Sequence, residues 1–553
     1  MTPAPSQPLH PRYYLHNFEQ LCATVVDQYG DLLVEREREL LSAFDAATVD
    51  ARCLFVRLAS RSGPLFPLGR LSYPELDNLP AAVDEALDLG LLHEPATPVA
   101  EDLVRVLRRA ELAEVAGRVM ELSGRERKRD LLERLESCSE ARFVNAWQEW
   151  RGPGQRLVEV AWRPQVELFQ LLFFGNTYQT LTEFVLSDLG ITNYYPYQLD
   201  RDHRLFRDRE EIDDYLALRL LKEQYKQAVA DDDVDCVQAV GRRLLDEGSG
   251  GQSAVAYRDS LRNRVARQLE RYDLGEDAID LYRCSRQHPA RERRARLLAA
   301  RGDDAAALEL CEAIAADPWC EAEVDFAHRT LVTLQRRLKR DYQPRRRDRF
   351  QEDWLLLDPG APVELSAAAY YSRDGSRVHH VESRLLNASF GLAFWDQIFE
   401  PVPGAFINAF QSAPLDMYSP GFYRLRRRQI DLRLAELGTV DLGTELLATW
   451  DRYQGLSNRW VGWRGLSRDL LADALKQVPR AHWLACWRRL LFDPEANRNG
   501  CPDLIALQPG GGYCLIEVKG PGDQLQLNQR RWLRFFQREG IPARVAMVRW
   551  RDD

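Results

Sequence analysis

At 553 residues the chain is too long to share one hydrophobic core, and the usual size of a domain divides it into about three or four. Hydrophobic residues at 45% and aromatics at 10% exclude wholesale disorder. A net charge of −9 excludes a chain that is basic throughout, but not a nucleic-acid partner, because binding depends on where the cations sit rather than on their sum.

The N-terminal stretch MTPAPSQPLHPRYY has no basic region followed by an apolar run, and no stretch of about 18 apolar residues occurs. Ten cysteines are scattered without a CxxC pair, which offers neither a zinc site nor a disulfide framework. The expectation is a soluble protein of a reducing, cytoplasmic compartment with no membrane partner.

In chain order, FVRLASRSGPLFPLGRLSYPELDNLPAAVDEALDLGLL (55–92) reads as a helix ending near Ser62-Gly63, a short strand, a second helix and a further strand. Ser72 and Glu75 have capping-box spacing for the second helix, and Gly90 stands where it would stop. That order suits a small winged-helix module or another compact helical subdomain. Residues 98–136 read as two amphipathic helices around SGRERKRD, where Arg125, Arg127, Lys128 and Arg129 form a basic turn, either solvated surface or a phosphate contact. An aromatic-rich stretch from 140 to 205 is expected to pack as connecting helices.

Residues 207–340 read as nearly all helix. YDLGEDAIDLY and ARGDDAAALEL share a Gly-x-x-Ala kernel, Gly275/Ala278 and Gly302/Ala305, which resembles a tetratricopeptide-type array, a scaffold or a binding surface. RRLKRDYQPRRRDR (336–349) then holds eight Lys/Arg against two Asp, and Pro344 interrupts any helix. A domain boundary belongs here. Arg345, Arg346 and Arg347 either line a phosphate track or belong to an exposed linker.

The chemistry concentrates in CPDLIALQPGGGYCLIEVKG (501–520). With a strand period of two, Tyr513, Leu515, Glu517 and Lys519 share one face of their strand, and Asp503, Ile505 and Leu507 share one face of theirs. A five-residue loop, QPGGG, pairs Leu507 with Tyr513, Ile505 with Leu515 and Asp503 with Glu517. Opposed Cβ atoms are about 4.5–5.5 Å apart, and two carboxylates so placed in apolar surroundings need a shared proton or a cation. With Lys519 on the same face, a hard divalent ion is the economical answer. Such an ion can activate a water and neutralise charge on a phosphodiester, while the lysine orients the water or stabilises the crowded phosphorus.

Asp523 is the expected N-cap of a helix over QLQLNQRRWLRFFQRE, which Gly540 and Pro542 end, and ARVAMVRW follows as a strand. FYRLRRR (422–428) interleaves aromatics with Arg424, Arg426, Arg427 and Arg428, a pattern suited to phosphate contacts and base stacking, or to a charged helix face. His379-His380 lacks ligand spacing and reads as a polar loop. No GxxxxGK[ST] occurs, so no nucleotide-driven motor is indicated.

Pro502-Asp503, thirteen residues, then Glu517-Val518-Lys519 resembles the PD-(D/E)XK, restriction-endonuclease-like nucleases. More specifically, CPDLIAL…LIEVKGPGDQLQLNQRRWL is similar to the VRR-NUC (virus-type replication-repair nuclease) domain. ESRLLNASFGLAFWDQIF, FINAFQSAPLDMYSPGFYRLRR and LFVRLASRSGPLFPLGRLSYPEL resemble the Fanconi-associated nuclease family in a bacterial form, and these stretches fall in the right order over most of the chain. The resemblance implies a multidomain, mostly α protein: a winged-helix/SAP-like DNA-binding region (1–140), a helical connection (141–206), TPR-like repeats (207–340) and a C-terminal α/β VRR-NUC nuclease domain (341–553).

It also implies a structure-specific DNA nuclease dependent on Mg²⁺ or Mn²⁺, a 5′ flap endonuclease and 5′-to-3′ exonuclease of interstrand crosslink repair. Its partner would be 5′-flapped, branched or nicked duplex DNA, which in a bacterium puts it at the nucleoid. By the same resemblance the metal ligands are Glu382, Asp503, Glu517 and the Val518 carbonyl, Lys519 is the catalytic lysine, and Gln529 is a supporting helix glutamine. Spacing alone leaves Asp396 as a rival to Glu382. The family's 5′-phosphate pocket is not matched, since Asn528 and Glu495 stand where cations would be sought. Two rivals share parts of this reading: a non-catalytic helical-repeat adaptor, against which the retained acids and lysine speak, and a Holliday-junction resolvase, for which no dedicated dimerisation element is visible. The sequence leaves dimerisation on DNA open.

Overall fold

A computed structural model describes residues 10–61, 63–122, 126–135, 138–152, 156–176, 192–246, 251–344 and 347–551. The chain divides into two compact units, 1–192 and 193–553.

In the first unit, helices Tyr13–Tyr29, Glu35–Ala46 and Val49–Ala59 meet through Phe18, Phe44 and Phe55, whose rings lie 5.1–6.0 Å apart. Strand β1 (Leu65–Pro67), helix Leu79–Asp88 and strand β2 (Leu92–His93) follow in the expected order, and Gly90 takes a left-handed φ of 67° just past the helix. The helix starts later than Ser72 suggests. Asn78 caps it by accepting the Ala81 N–H, whereas Glu75 accepts the Tyr14 hydroxyl and the Arg57 guanidinium. The 98–136 stretch forms three helices among the described residues, Ala100–Val106, Arg109–Ala116 and Lys128–Leu135, where two were expected.

The 141–206 segment is not purely a helical connection. Its β3 (Leu157–Val160) inserts between β1 and β2, antiparallel to both, and buries Leu157, Val158 and Val160.

The second unit opens with β4 (Asn193–Tyr194) and continues as helical hairpins: Arg209–Ala230 with Val234–Leu245, Gln252–Arg271 with Gly275–Cys284, and Ala290–Ala300 with Asp304–Ala316, closed by Glu321–Arg337. Two residues past each long first helix the chain turns left-handed, at Asp232, Asp273, Gly302 and Lys339. The expected Gly-x-x-Ala kernel therefore has the wrong register. Gly275 opens a helix and Ala278 is buried, while Gly302 sits in the turn and Ala305 is exposed. The equivalent buried positions are Val237, Ala278 and Ala307.

Then come β5 (Glu352–Leu357), β6 (Arg377–His380), β7 (Leu456–Ser457), which pairs with β4, β8 (Leu504–Leu507), β9 (Tyr513–Lys519) and β10 (Ala543–Trp550). Five of them form one sheet in the order β5-β10-β9-β8-β6, parallel from β5 through β9 and antiparallel from β9 to β6. Helix Val363–Tyr371 covers one face, over Leu504, Ala506, Cys514, Ile516 and Val518. Helix Leu527–Glu539 and helices between residues 384 and 492 cover the other, over Ile505, Leu507 and Tyr513. Burial of both faces explains why β8 is apolar throughout and β9 apolar as far as Ile516, and it makes the charges of Glu517 and Lys519 conspicuous.

The last helix of the array is bonded to this domain. Glu321 meets Arg489 at 2.9 Å with both side chains buried, and Arg531 and Arg534 of the nuclease helix reach Asp325.

Candidate active site

The β8–β9 ladder has the register that the loop symmetry predicts, with Leu507 opposite Tyr513, Ile505 opposite Leu515 and Leu504 opposite Ile516. The ladder ends at that pair, and Asp503, the residue before β8, lies near enough to Glu517 for its charge to act on that carboxyl. Asp503 turns one carboxylate oxygen to the Val518 N–H at 2.8 Å, while its backbone carbonyl accepts the N–H groups of both Val381 and Glu382 at 2.8 and 2.9 Å. Asp503 thus clamps the end of β6 to the end of β9.

That clamp brings Glu382 to the site. Glu382 holds φ at +43°, a left-handed conformation that costs an ordinary residue roughly 1 kcal/mol or more and survives only where surrounding bonds impose it. It sits in the turn before helix Arg384–Ala393 with its side chain exposed. The ligand atoms of His380, Glu382 and Asp503 lie within 4.8 Å of one another. Asp396, the rival by spacing, lies elsewhere: the Tyr453 hydroxyl donates to it, and it lines a separate polar cavity with Arg433 and Glu445. His380 is also a correction. It ends a paired strand rather than lying in a loop, and lone-residue spacing could not reveal it because the nearby acid, Asp503, comes from the start of a strand more than a hundred residues on.

Glu517 is 1% exposed, and the Lys519 ammonium stands 3.0 Å from its Oε1. That contact is an ion pair without hydrogen-bond geometry, so Oε1 is a buried oxygen with no hydrogen bond. Burial raises the Glu517 carboxyl to about 7, the Asp503 charge adds to the rise, and Lys519 opposes it. Burial likewise raises Asp503, against the Val518 N–H and Lys519, which lower it. Two acids held above their ordinary range, one of them answered only by the Lys519 ammonium, next to an imidazole and an exposed carboxylate, form a donor set short of positive charge. A divalent ion fits it.

Helix Leu527–Glu539 fixes the approach to Asp503 from behind. Trp532 Nε1 donates to the Asn499 carbonyl, and Gly500, at φ +88°, lies so close to Asn528 that a Cβ there would stand 2.8 Å from the amide carbon. Asn528 is therefore a packing residue, and Glu495 is exposed on the short helix Pro494–Asn497. Gln529 uses its amide oxygen to accept the Gln526 N–H, closing a capping box at the helix start. Asp523 does not cap this helix; it accepts the Gly520 N–H in the preceding turn.

The expected phosphate contacts divide. Arg125, Arg345 and Arg346 lie outside the described residues. Arg127 and Arg129 are exposed, whereas Lys128 donates to the carbonyls of Arg105 and Leu107. Arg347, Arg424 and Arg428 are exposed, and Arg427 pairs with Asp431. Arg426 does not fit the expectation. It is fully buried, 2.7 Å from Asp416 and stacked over Phe422, so it holds the fold and reaches no solvent.

A buried Glu-x-Lys on a central strand, an aspartate on its antiparallel neighbour and a helix crossing to a parallel third strand define a metal-dependent nuclease. The VRR-NUC domain family matches residues 441–550, and the family described as "FAN1, HTH domain" matches residues 12–93. The Fanconi-associated nuclease 1 homolog of Pseudomonas aeruginosa is 35% identical over 98% of this chain and 97% of its own length, and the Arabidopsis thaliana homolog is 26% identical over 97% of this chain and 67% of its own. Among solved structures, paFAN1 bound to 2nt 5′flap DNA with gap is 32% identical, with a TM-score of 0.81 over 98% of this chain and 99% of that one. The chain belongs to the Fanconi-associated nuclease family and is a structure-specific DNA nuclease, and a divalent metal ion goes with that chemistry.

Proposed function

We propose that this nuclease hydrolyses phosphodiester bonds in 5′-flapped, branched or nicked duplex DNA, as flap endonuclease and 5′-to-3′ exonuclease, in interstrand crosslink repair at the nucleoid. The observation that carries the reading is the convergence of Asp503, Glu517, Lys519 and Glu382 at one end of β8 and β9. The relative of known structure was crystallised with 5′ flap DNA, and the similarity spans both chains almost end to end. Among the described residues no helix is long and apolar enough to cross a membrane.

In this reading Asp503, Glu517, Glu382 and the Val518 carbonyl hold Mg²⁺ or Mn²⁺, with His380 as an added donor. The bound ion supplies a water of lowered pKa and charge neutralisation at the phosphate. The protein does the rest. Asp503 fixes the geometry, because its second oxygen and its carbonyl are already committed to Val518, Val381 and Glu382. Lys519 is anchored by Glu517 beside the scissile phosphate, where its ammonium orients the attacking water and stabilises negative charge as the phosphorus–oxygen bond breaks. The water's proton passes to solvent and the leaving oxygen takes another.

Asp503→Ala tests this directly. Cleavage of labelled 5′-flap DNA in Mg²⁺ is expected to vanish while binding of the same DNA in EDTA persists; undiminished cutting would refute the assignment.

A further inference from the structure

The face of the nuclease sheet that carries Glu517 and Lys519 does not end at β9. Partners in a parallel ladder point to the same side, and in β10 Val545 lies beside Glu517 and Met547 beside Lys519. β5 continues both rows: Glu352 lies beside Val545, Trp354 beside Met547, and Leu356 beside Arg549. Lys519 and Trp354 therefore stand in one row, two strands and about 10 Å apart. The row changes character along its length. Lys519 is buried and Met547 half-buried, whereas Trp354 and Leu356, at the sheet edge, are 57% and 56% exposed. All thirteen tryptophans lie among the described residues, and Trp354 alone is exposed.

The exposed ring is held in place. The Arg549 guanidinium lies 4.5 Å from its centroid, a cation–π contact, and Arg549 has no carboxylate partner among the described residues. An exposed apolar patch that continues the face of a catalytic site marks a contact surface. Charge gives this one a direction. On the same face, Glu352 stands one step before Trp354 and repels a phosphate, while Arg549 stands one step beyond it and attracts one.

We propose that Trp354 is a stacking platform for one unpaired base of the DNA substrate, with Arg549 taking the phosphate beside that base. This rests on the nuclease reading for the identity of the substrate. A base inside a duplex has both faces covered by its neighbours, so only an unpaired base can offer one to the indole. Stacking needs no contact with base edges and tolerates any sequence. At ~3.4 Å per stacked nucleotide, the base sits roughly three steps from the phosphate beside Lys519. Trp354 is then a specificity residue. It favours substrates with an unpaired nucleotide at a set distance from the cut, and Lys519 acts at the other end of the row.

The test is an abasic walk: 5′-flap substrates with a single tetrahydrofuran residue at successive positions on either side of the mapped cut, each cleaved in Mg²⁺. In the parent, one position about three steps from the cut is expected to lower kcat/KM roughly fivefold to hundredfold. Trp354→Ala is expected to show that loss on the intact flap and no further loss from the abasic residue, and Trp354→Phe to retain most of the parental rate. Leu365→Ala removes an exposed apolar side chain from helix Val363–Tyr371 on the opposite face and is expected to cut like the parent. 2-Aminopurine at the sensitive position, with EDTA present, should be quenched by the parent and stay bright with Trp354→Ala. Parental cleavage by Trp354→Ala overturns the proposal, as does an abasic loss that persists undiminished in that variant, or an equal loss in Leu365→Ala. Quenching by a parent that does not cut in Mg²⁺ would sink the nuclease reading and leave the platform standing.

Discussion

Replacing Glu517 by glutamine is expected to stabilise the metal-free protein at alkaline pH while destroying its activity. Burial and Asp503 raise the Glu517 carboxyl from the ordinary 4.5 to about 7. That gap of about 2.5, at ~1.4 kcal/mol per pH unit, means that an ionised Glu517 without its ion costs the fold roughly 3 kcal/mol. The sign follows from proton binding: the native state keeps a proton that the unfolded chain has lost. Stability from this group is therefore full below about pH 4.5, declines as pH rises towards 7, and stays low above it. Glutamine is neutral throughout and nearly isosteric, so the variant gains on the parent up to roughly 3 kcal/mol at pH 8 and nothing near pH 4.5. Guanidinium titrations of EDTA-treated protein, followed by tryptophan fluorescence at several pH values, read the difference. Added Mn²⁺ should narrow it at pH 8, because only the parent offers an ionised carboxylate to the ion. A difference that does not change between pH 4.5 and 8 would refute the argument that burial of the Glu517 charge governs this site.

His380→Asn is expected to weaken Mn²⁺ binding, measured calorimetrically, more than it weakens Mg²⁺ binding, because imidazole favours the later transition metals while Mg²⁺ prefers oxygen. Equal losses for the two ions would assign His380 a merely structural part. Arg489→Ala leaves Glu321 buried beside Asn497 without its cation, so a loss of about 3–5 kcal/mol is expected in denaturant titrations, with the last array helix loosened in hydrogen exchange; a change under 1 kcal/mol would show that the pair does not join the array to the nuclease domain.

Part of the candidate site is legible in the sequence. β8, the loop and β9 form one continuous hairpin, and in a hairpin the register follows from the length of the turn and the period of two. So the nearness of Asp503 to Glu517, and that of Glu517 to Lys519, follow from twenty consecutive residues. Helix ends are less legible. Ser72 and Asp523 both have the chemistry of caps, yet Asn78 and Gln526 hold those positions, because many polar residues can cap and tertiary contacts decide which one does. The repeat kernel slips for a related reason: among the described residues of the array glycine marks a left-handed turn only once, at Gly302, while aspartates and a lysine take the same turn elsewhere.

What the sequence determined alone is therefore local: a buried acid–lysine strand paired with an acidic neighbour, the alternation that aims them together, and the kinship that these motifs announce. The tertiary structure decided what depends on contacts between distant segments. It drew Glu382 and His380 to Asp503 through the β6–β8 pairing and left Asp396 in another cavity. It also buried Arg426 against Asp416 while leaving Arg424 and Arg428 of the same run exposed. Charge and spacing are the same for a paired arginine and an unpaired one, and only the three-dimensional neighbourhood sets whether its counter-ion is a carboxylate of the protein or the phosphate of a partner.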